Sequence, residues 1–304
     1  AIRRQRQMCI RDSYYTGSPY VIQLRMTFGI LGSKLASLLR GILAIVWYGF
    51  QTWTGGLALN QIFKLATGYD NPPTFFVILL IVQTLISIRG FRWIKVVSTW
   101  ISLLMAILLV TTLIYLITQR SAAFTSRMVN VRGTWGVTFW GFVVAFLGNY
   151  TAIFESAADY SRELKVGLSN KRRAALYFLP IFLAYGITVL TGSLLAVVTR
   201  ISSPVHAMAI LFNNNLATVI VSVFIVLGTI TTNLVANIIP PTYVLNAWFN
   251  ISERKSLVIV ALLACLSFPW LLVQDSSSMG LTIFIKTYSA FLGPVSYTHL
   301  TLPT

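Results

Sequence analysis

Long apolar runs, broken at intervals by Gly/Pro or basic clusters, lay this chain out as a series of hydrophobic helices. A bilayer crossing needs about 20 predominantly apolar residues. Eight stretches are candidates, near 38–62, 74–88, 94–118, 136–157, 175–199, 216–246, 257–273 and 279–294. The breaks include Gly68-Tyr69-Asp70-Asn71-Pro72-Pro73, Arg89-Gly90-Phe91-Arg92 and Lys171-Arg172-Arg173. The 216–246 stretch is long for one crossing, which predicts tilt or an interruption near Pro240-Pro241, since proline lacks the N–H of a helix interior. A short amphipathic piece around Pro204–Phe212 is expected to lie at the interface or to plug a cavity.

Two polar clusters interrupt the apolar pattern: Trp47-Tyr48-Gly49-Phe50-Gln51, and Thr231-Thr232-Asn233-Leu234-Val235-Ala236-Asn237. Amides and paired hydroxyls are costly in hydrocarbon, so they persist where they face a bundle interior or a water-filled site. Helical spacing puts Trp47 over Gln51 and Asn233 over Asn237. An aromatic platform beside an amide suits a flat, hydrogen-bonding ligand. That pairing points to a membrane transporter.

Composition supports the membrane reading. Of 304 residues, 56% are hydrophobic and only 10% charged, with a mean hydropathy of +0.77. A soluble domain carries about a quarter charged residues. The formal net charge of +16 is not a nucleic-acid signal, because the basic residues lie between apolar spans. Counted in alternate loops, one set holds thirteen Lys and Arg, Arg25, Lys34 and Arg40 among them, and the other five. The richer set is therefore expected on the cytoplasmic side, with Arg120, Arg127 and Arg132 mildly against. Cys9 and Cys265 define no disulfide framework.

Both ends look foreign to the rest. Arg4–Ser13 and Val295–Thr304 resemble translated sequencing-adapter sequence and match neither the apolar periodicity nor the adjoining loops. Residues 1–13 and 296–304 are accordingly set apart as non-native segments around a partial transmembrane domain at 14–295, in a gene cut at both ends. Native polar tails are the alternative.

Residues 15–56, from Tyr15-Thr-Gly-Ser-Pro to Trp47-Tyr-Gly-Phe-Gln-Thr-Trp-Thr-Gly-Gly, resemble the nucleobase-cation-symport-1 family. So do Ala158-Asp159-Tyr160-Ser161-Arg162, Thr231 through Pro241, and Tyr288-Ser-Ala-Phe-Leu-Gly-Pro294. Four motifs in order over about 280 residues make a specific signal. The resemblance implies an all-α polytopic membrane protein with the LeuT-like five-plus-five inverted repeat. It is partial, covering about helices 3–10 of 12, and so lacks one of the two broken helices that build the midplane site.

The resemblance also implies roles. Trp47 matches the tryptophan that stacks on the substrate ring and Gln51 the glutamine that bonds its edge; interfacial anchoring and interhelical bonding are the structural alternatives. Asn237 and, less closely, Asn233 match substrate-site positions. Thr231 and Thr232 match the hydroxyl pair that sodium-coupled members use as ligands, against plain back-bonding to the preceding turn. Asn149 stands where the family often has a second tryptophan, with Tyr150 next to it; a helix kink without ligand contact is an equal reading. Glu155 is the one carboxylate deep in a predicted span, a proton or cation candidate or a partner of Arg162. Asp159 and Arg162 are expected to shape the cytoplasmic loop and gate.

An enzyme is disfavoured. With the ends removed His206 is the lone histidine, and no His-Glu-x-x-His, Gly-x-Ser-x-Gly or Walker motif occurs. The expectation is a plasma-membrane symporter importing a heterocycle of the uracil, cytosine, allantoin or hydantoin type with a cation, without a resident cofactor and with Na+ or H+ as coupling ion. A nucleoside or thiamine transporter of the same fold, or a non-transporting sensor, is the alternative. Its partners are then the small heterocycle, the cation and the lipid bilayer, with no nucleic acid.

Overall fold

The computed structural model describes residues 14–15, 17, 20–129, 133, 135–137, 139–141, 143, 157–161, 164, 167–201, 207–208, 210–211, 214–271 and 287. Four of its helical stretches are long and apolar enough to cross a membrane: Phe28–Thr67, Arg92–Gln119, Asn170–Thr199 and Asn215–Phe249. A shorter apolar helix is Pro72–Ile88.

The first helix, α1 (Tyr20–Thr67), is continuous apart from a break at Gly29, whose φ of 68° and ψ of −177° are open to glycine. The limb beyond the break, residues 30–67, is about 57 Å long at 1.5 Å per residue, nearly twice the hydrocarbon thickness. The predicted span at 38–62 is thus only its middle. A compact polar knot closes the turn into α2 (Pro72–Ile88). Asn60 Nδ2 donates to Asp70 Oδ1 at 2.7 Å, Lys64 Nζ to Asp70 Oδ2 at 2.7 Å, and the Asn71 amide to Asn60 Oδ1 at 2.8 Å. The Lys64 ammonium and the Asn60 amide hold the Asp70 carboxyl below the usual carboxylate range.

Next come α3 (Phe91–Gln119), α4 (Ser121–Val129), α5 (Ala157–Ser161) and α6 (Asn170–Thr199). Arg127 donates to the carbonyls of Val197 and Val198 at the end of α6, and Arg120 to Leu211 O at 3.4 Å. Two of the three arginines that ran against the charge asymmetry are therefore occupied with backbone carbonyls, those of Val197 and Val198 in the last turn of α6. Arg40 needs the opposite correction. It lies within α1, 2% exposed, rather than in a loop. From the 204–212 piece, Ala207, Met208 and Leu211 are buried against Leu116, Leu195 and Val221, so that segment packs inward.

The 216–246 stretch is interrupted, as proline chemistry requires. Helix α7 (Asn215–Thr232) passes into a π turn, Asn233–Asn237, and α8 (Ile239–Phe249) follows with its prolines in the first turn. The Ile238 amide bonds Asn233 O at 2.9 Å, the long reach of a π turn. A short α9 (Glu253–Leu266) completes the core. Tyr48, Leu234, Ile238, Val260 and Ala264 are buried together where α1, the π turn and α9 meet. Small residues permit this approach. A Cβ on Gly49 would lie 2.5 Å from both Ala264 O and Ser267 Oγ, and one on Gly56 would lie 3.0 Å from the Phe76 amide nitrogen.

Candidate functional site

The site grows from the π turn. A proline at 240 has no N–H to offer the carbonyl four residues back, so Ala236 O needs another donor. Arg40 supplies it, donating from a guanidinium nitrogen at 2.9 Å. Tyr160 Oη donates to the neighbouring Val235 O at 3.3 Å. Asp159, beside Tyr160 and 3% exposed, accepts the Tyr20 amide at 2.8 Å. A carboxylate at a helix N-terminus satisfies a free N–H and the positive dipole end together. Asp159 therefore fastens α5 to the start of α1.

On α1 the two expected substrate residues share one face, a turn apart. The Trp47 ring meets Phe50 edge-on, with centroids 5.3 Å apart. Gln51 is half-buried, and its Oε1 is buried with no hydrogen-bond partner among the described residues. An acceptor left this way is costly unless something else supplies the donor.

The next face of α1, Tyr48 and Thr52, meets the π turn through a chain of side-chain amides. Thr52 Oγ1 donates to Tyr48 O at 2.7 Å. Asn233 Nδ2 lies 3.0 Å from Thr52 Oγ1, 2.9 Å from Gln83 Oε1 and 3.4 Å from Tyr48 O. Asn237 Nδ2 donates to Asn233 Oδ1 at 2.9 Å. Asn233 is fully buried and bonded to protein at both ends of its amide. Asn237 keeps its own Oδ1 and one N–H beyond this chain of bonds.

Thr231 and Thr232 both donate to Gly228 O at 2.9 Å, and Thr231 Oγ1 also lies 3.2 Å from Leu227 O. Their protons are spent on backbone, as back-bonding threonines do. The hydroxyl lone pairs remain, and hard cations take such oxygens. Thr231 is buried and Thr232 exposed.

Asn149, Tyr150, Glu155 and Arg162 lie outside the described residues, as do His206 and the Tyr288–Pro294 motif. The structure brings together Asn233, Asn237 and the α1 face, and adds three residues that the sequence reading passed over: Thr52, Gln83 and Arg40. Gln83 had a visible signal, being the one amide in the apolar 74–88 span.

Comparison with known proteins places this arrangement. The family profile for permeases of cytosine/purines, uracil, thiamine and allantoin matches residues 12–298. A hydantoin permease of Microbacterium maritypicum is 28% identical over 92% of this chain and 59% of its own length. An allantoin permease of Bacillus subtilis is 26% identical over 92% of the chain and 61% of its own. A purine-uracil permease of Arabidopsis thaliana is 25% identical over 92% of the chain and 50% of its own. The chain thus spans 50–61% of the length of these relatives. Among solved structures, the nucleobase-cation-symport-1 family transporter Mhp1, closed with bromovinylhydantoin bound, superposes with a TM-score of 0.79. The match has 24% identity and covers 98% of this chain and 68% of that one. Inward-facing Mhp1 gives 0.75 over the same shares. The fold is therefore the LeuT-like one expected, over a multi-pass membrane protein whose relatives are permeases rather than enzymes. With the profile matched across nearly its whole length, the chain belongs to the family of permeases for cytosine/purines, uracil, thiamine and allantoin, the nucleobase-cation-symport-1 transporters.

Proposed function

We propose that this protein is a secondary active symporter that imports a flat nitrogenous heterocycle with a cation across the plasma membrane. The observation that carries the reading is the buried, unpartnered Oε1 of Gln51, one helical turn from the Trp47 ring. A ring stacked on Trp47 and offering an N–H to Gln51 would supply the missing donor. Asn237 would bind another edge, and the ligand would be a ureide or lactam of the hydantoin, allantoin or pyrimidine kind. The permease relatives named for hydantoin and allantoin support that class. The Thr231 and Thr232 hydroxyl oxygens are the proposed cation ligands, suited to sodium. Cation and substrate binding would favour the closed state, and exchange between outward- and inward-open states would move both.

Uptake of labelled hydantoin, allantoin, uracil and cytosine tests this in cells expressing the chain with whatever sequence flanks it in its gene. Sodium is present or replaced by choline, at two external pH values. Sodium-dependent accumulation of one compound is expected. Accumulation driven only by external acid would move coupling from the threonines to a carboxylate such as Glu155. No uptake of any compound by a well-expressed protein refutes the transporter reading.

A further inference from the structure

The direction of the amide chain behind the site is fixed by a backbone atom. Thr52 Oγ1 and Tyr48 O are both oxygens 2.7 Å apart, so the hydroxyl proton must lie between them. Thr52 Oγ1 then has only lone pairs left for Asn233 at 3.0 Å, and the facing Asn233 atom has to be its NH2. That NH2 also meets Gln83 at 2.9 Å, so Gln83 presents its oxygen. The opposite end of Asn233 is consequently its carbonyl, and the Asn237 atom 2.9 Å from it is an NH2. A main-chain carbonyl cannot reverse its polarity. Every amide along this line is therefore oriented, although an amide side chain alone is free to flip.

The chain of bonds ends at Asn237, whose Oδ1 and second N–H take no described protein partner and whose side chain belongs to the proposed substrate site. We infer that Thr52 is a specificity-determining positioning residue, which orients the Asn237 amide so that its carbonyl oxygen always stands at the same place in the site and selects a ligand ring N–H there. The inference rests on the proposed heterocycle site and deepens it. Gln83 accepts from Asn233 at a cost to itself, because its Nε2 is buried without a hydrogen-bond partner among the described residues. That group would gain a partner if the relay reversed, yet the Thr52–Tyr48 bond holds the relay against reversal. Loss of Thr52 leaves Tyr48 O, 3.4 Å from Asn233 Nδ2, as the fixed acceptor, a contact too long to outweigh the partner that Gln83 Nε2 gains on reversal.

The test is a ligand series read as a ratio. Binding of hydantoin, allantoin and uracil is compared with that of their N-methyl derivatives, in wild type and in Thr52→Val, Thr52→Ser and Gln83→Met. In wild type, methylation of one particular ring nitrogen should weaken binding about 10-fold or more, as expected for a buried acceptor deprived of its donor. Thr52→Val should bring that discrimination down to about 3-fold or less, whereas Thr52→Ser, which keeps the hydroxyl, and Gln83→Met, which leaves the Thr52–Tyr48 bond in place, should preserve it. A merely structural loss would weaken parent and methylated ligands alike and leave the ratio unchanged. If Thr52→Val does not fold, Thr52→Ala takes its place beside the wild-type series. Wild type that tolerates a methyl on every ring nitrogen overturns the inference, as does full discrimination retained without the Thr52 hydroxyl; the transporter reading survives either result. Failure of wild type to bind any of the three parent compounds overturns both.

Discussion

The pairing of Arg40 with Pro240 makes a prediction that can be worked through as a thermodynamic cycle. Ala236 O is buried, its usual helical donor is removed by Pro240, and the Arg40 guanidinium stands in at 2.9 Å. Arg40→Met keeps the aliphatic stem and removes the donor. The stranded carbonyl alone should cost about 1–3 kcal/mol. The measured loss should be larger, because the guanidinium makes further interactions. Pro240→Ala restores an N–H within reach of the freed carbonyls of the π turn. In the wild-type background that N–H has little to add, since Arg40 already serves Ala236 O. In the Arg40→Met background it should recover roughly 1 kcal/mol, so the two substitutions should be non-additive by about that amount. Unfolding free energies of the four proteins, from titration with a denaturing detergent in mixed micelles, supply the cycle. Strict additivity, within about 0.3–0.5 kcal/mol, would refute the claim that Arg40 replaces the missing proline donor.

Gln51→Leu should weaken heterocycle binding by roughly 1–3 kcal/mol while leaving the unliganded protein as stable as before or more so, because it removes a buried acceptor without a partner; calorimetry and thermal unfolding read the two signs separately. Thr231→Val should lower the apparent sodium affinity of uptake, and Thr231→Ser should retain it. Gly49→Ala should destabilise the protein by about 1–3 kcal/mol, since its Cβ would stand 2.5 Å from Ala264 O on another helix, and a thermal melt would show it. Asp70 has a lowered folded pKa, so whatever stability the knot adds is present above the ordinary aspartate pKa and is lost as pH falls through the lower folded value. Melting temperatures of wild type and Asp70→Asn should accordingly differ at neutral pH, at low salt, and converge in acid.

Hydropathy alone laid out the spans that the structure describes, because a 20-residue apolar run has few alternatives in a membrane. Pro240 and Pro241 gave away an interruption, though it sits one turn earlier, at Asn233–Asn237, where the helix must adjust before the prolines enter. Composition could not separate Arg40 from a loop arginine: its donor role depends on a carbonyl 196 residues away. The same holds for Asn233. Its spacing places it with Asn237 on one helical face, but only the arrival of Thr52 and Gln83 decides that the Asn233 amide is bonded to protein at both ends. Thr52 was invisible for a further reason, since a threonine in a membrane helix ordinarily satisfies itself on its own backbone.

The Asp159 contact has a consequence in time. The Tyr20 amide, at the start of α1, is capped by a carboxylate 139 residues later, and Thr52 meets Asn233 181 residues after itself. At a synthesis rate of about 5–20 residues per second, the first helix waits roughly 7–28 s for its cap. Thr52 and Gln83 wait still longer within the bilayer for the amide that joins them. During that interval the nascent first half carries polar groups whose partners do not yet exist. A chain arrested before Asn233 should therefore be the form that quality control removes, whatever the quality of the helices already inserted.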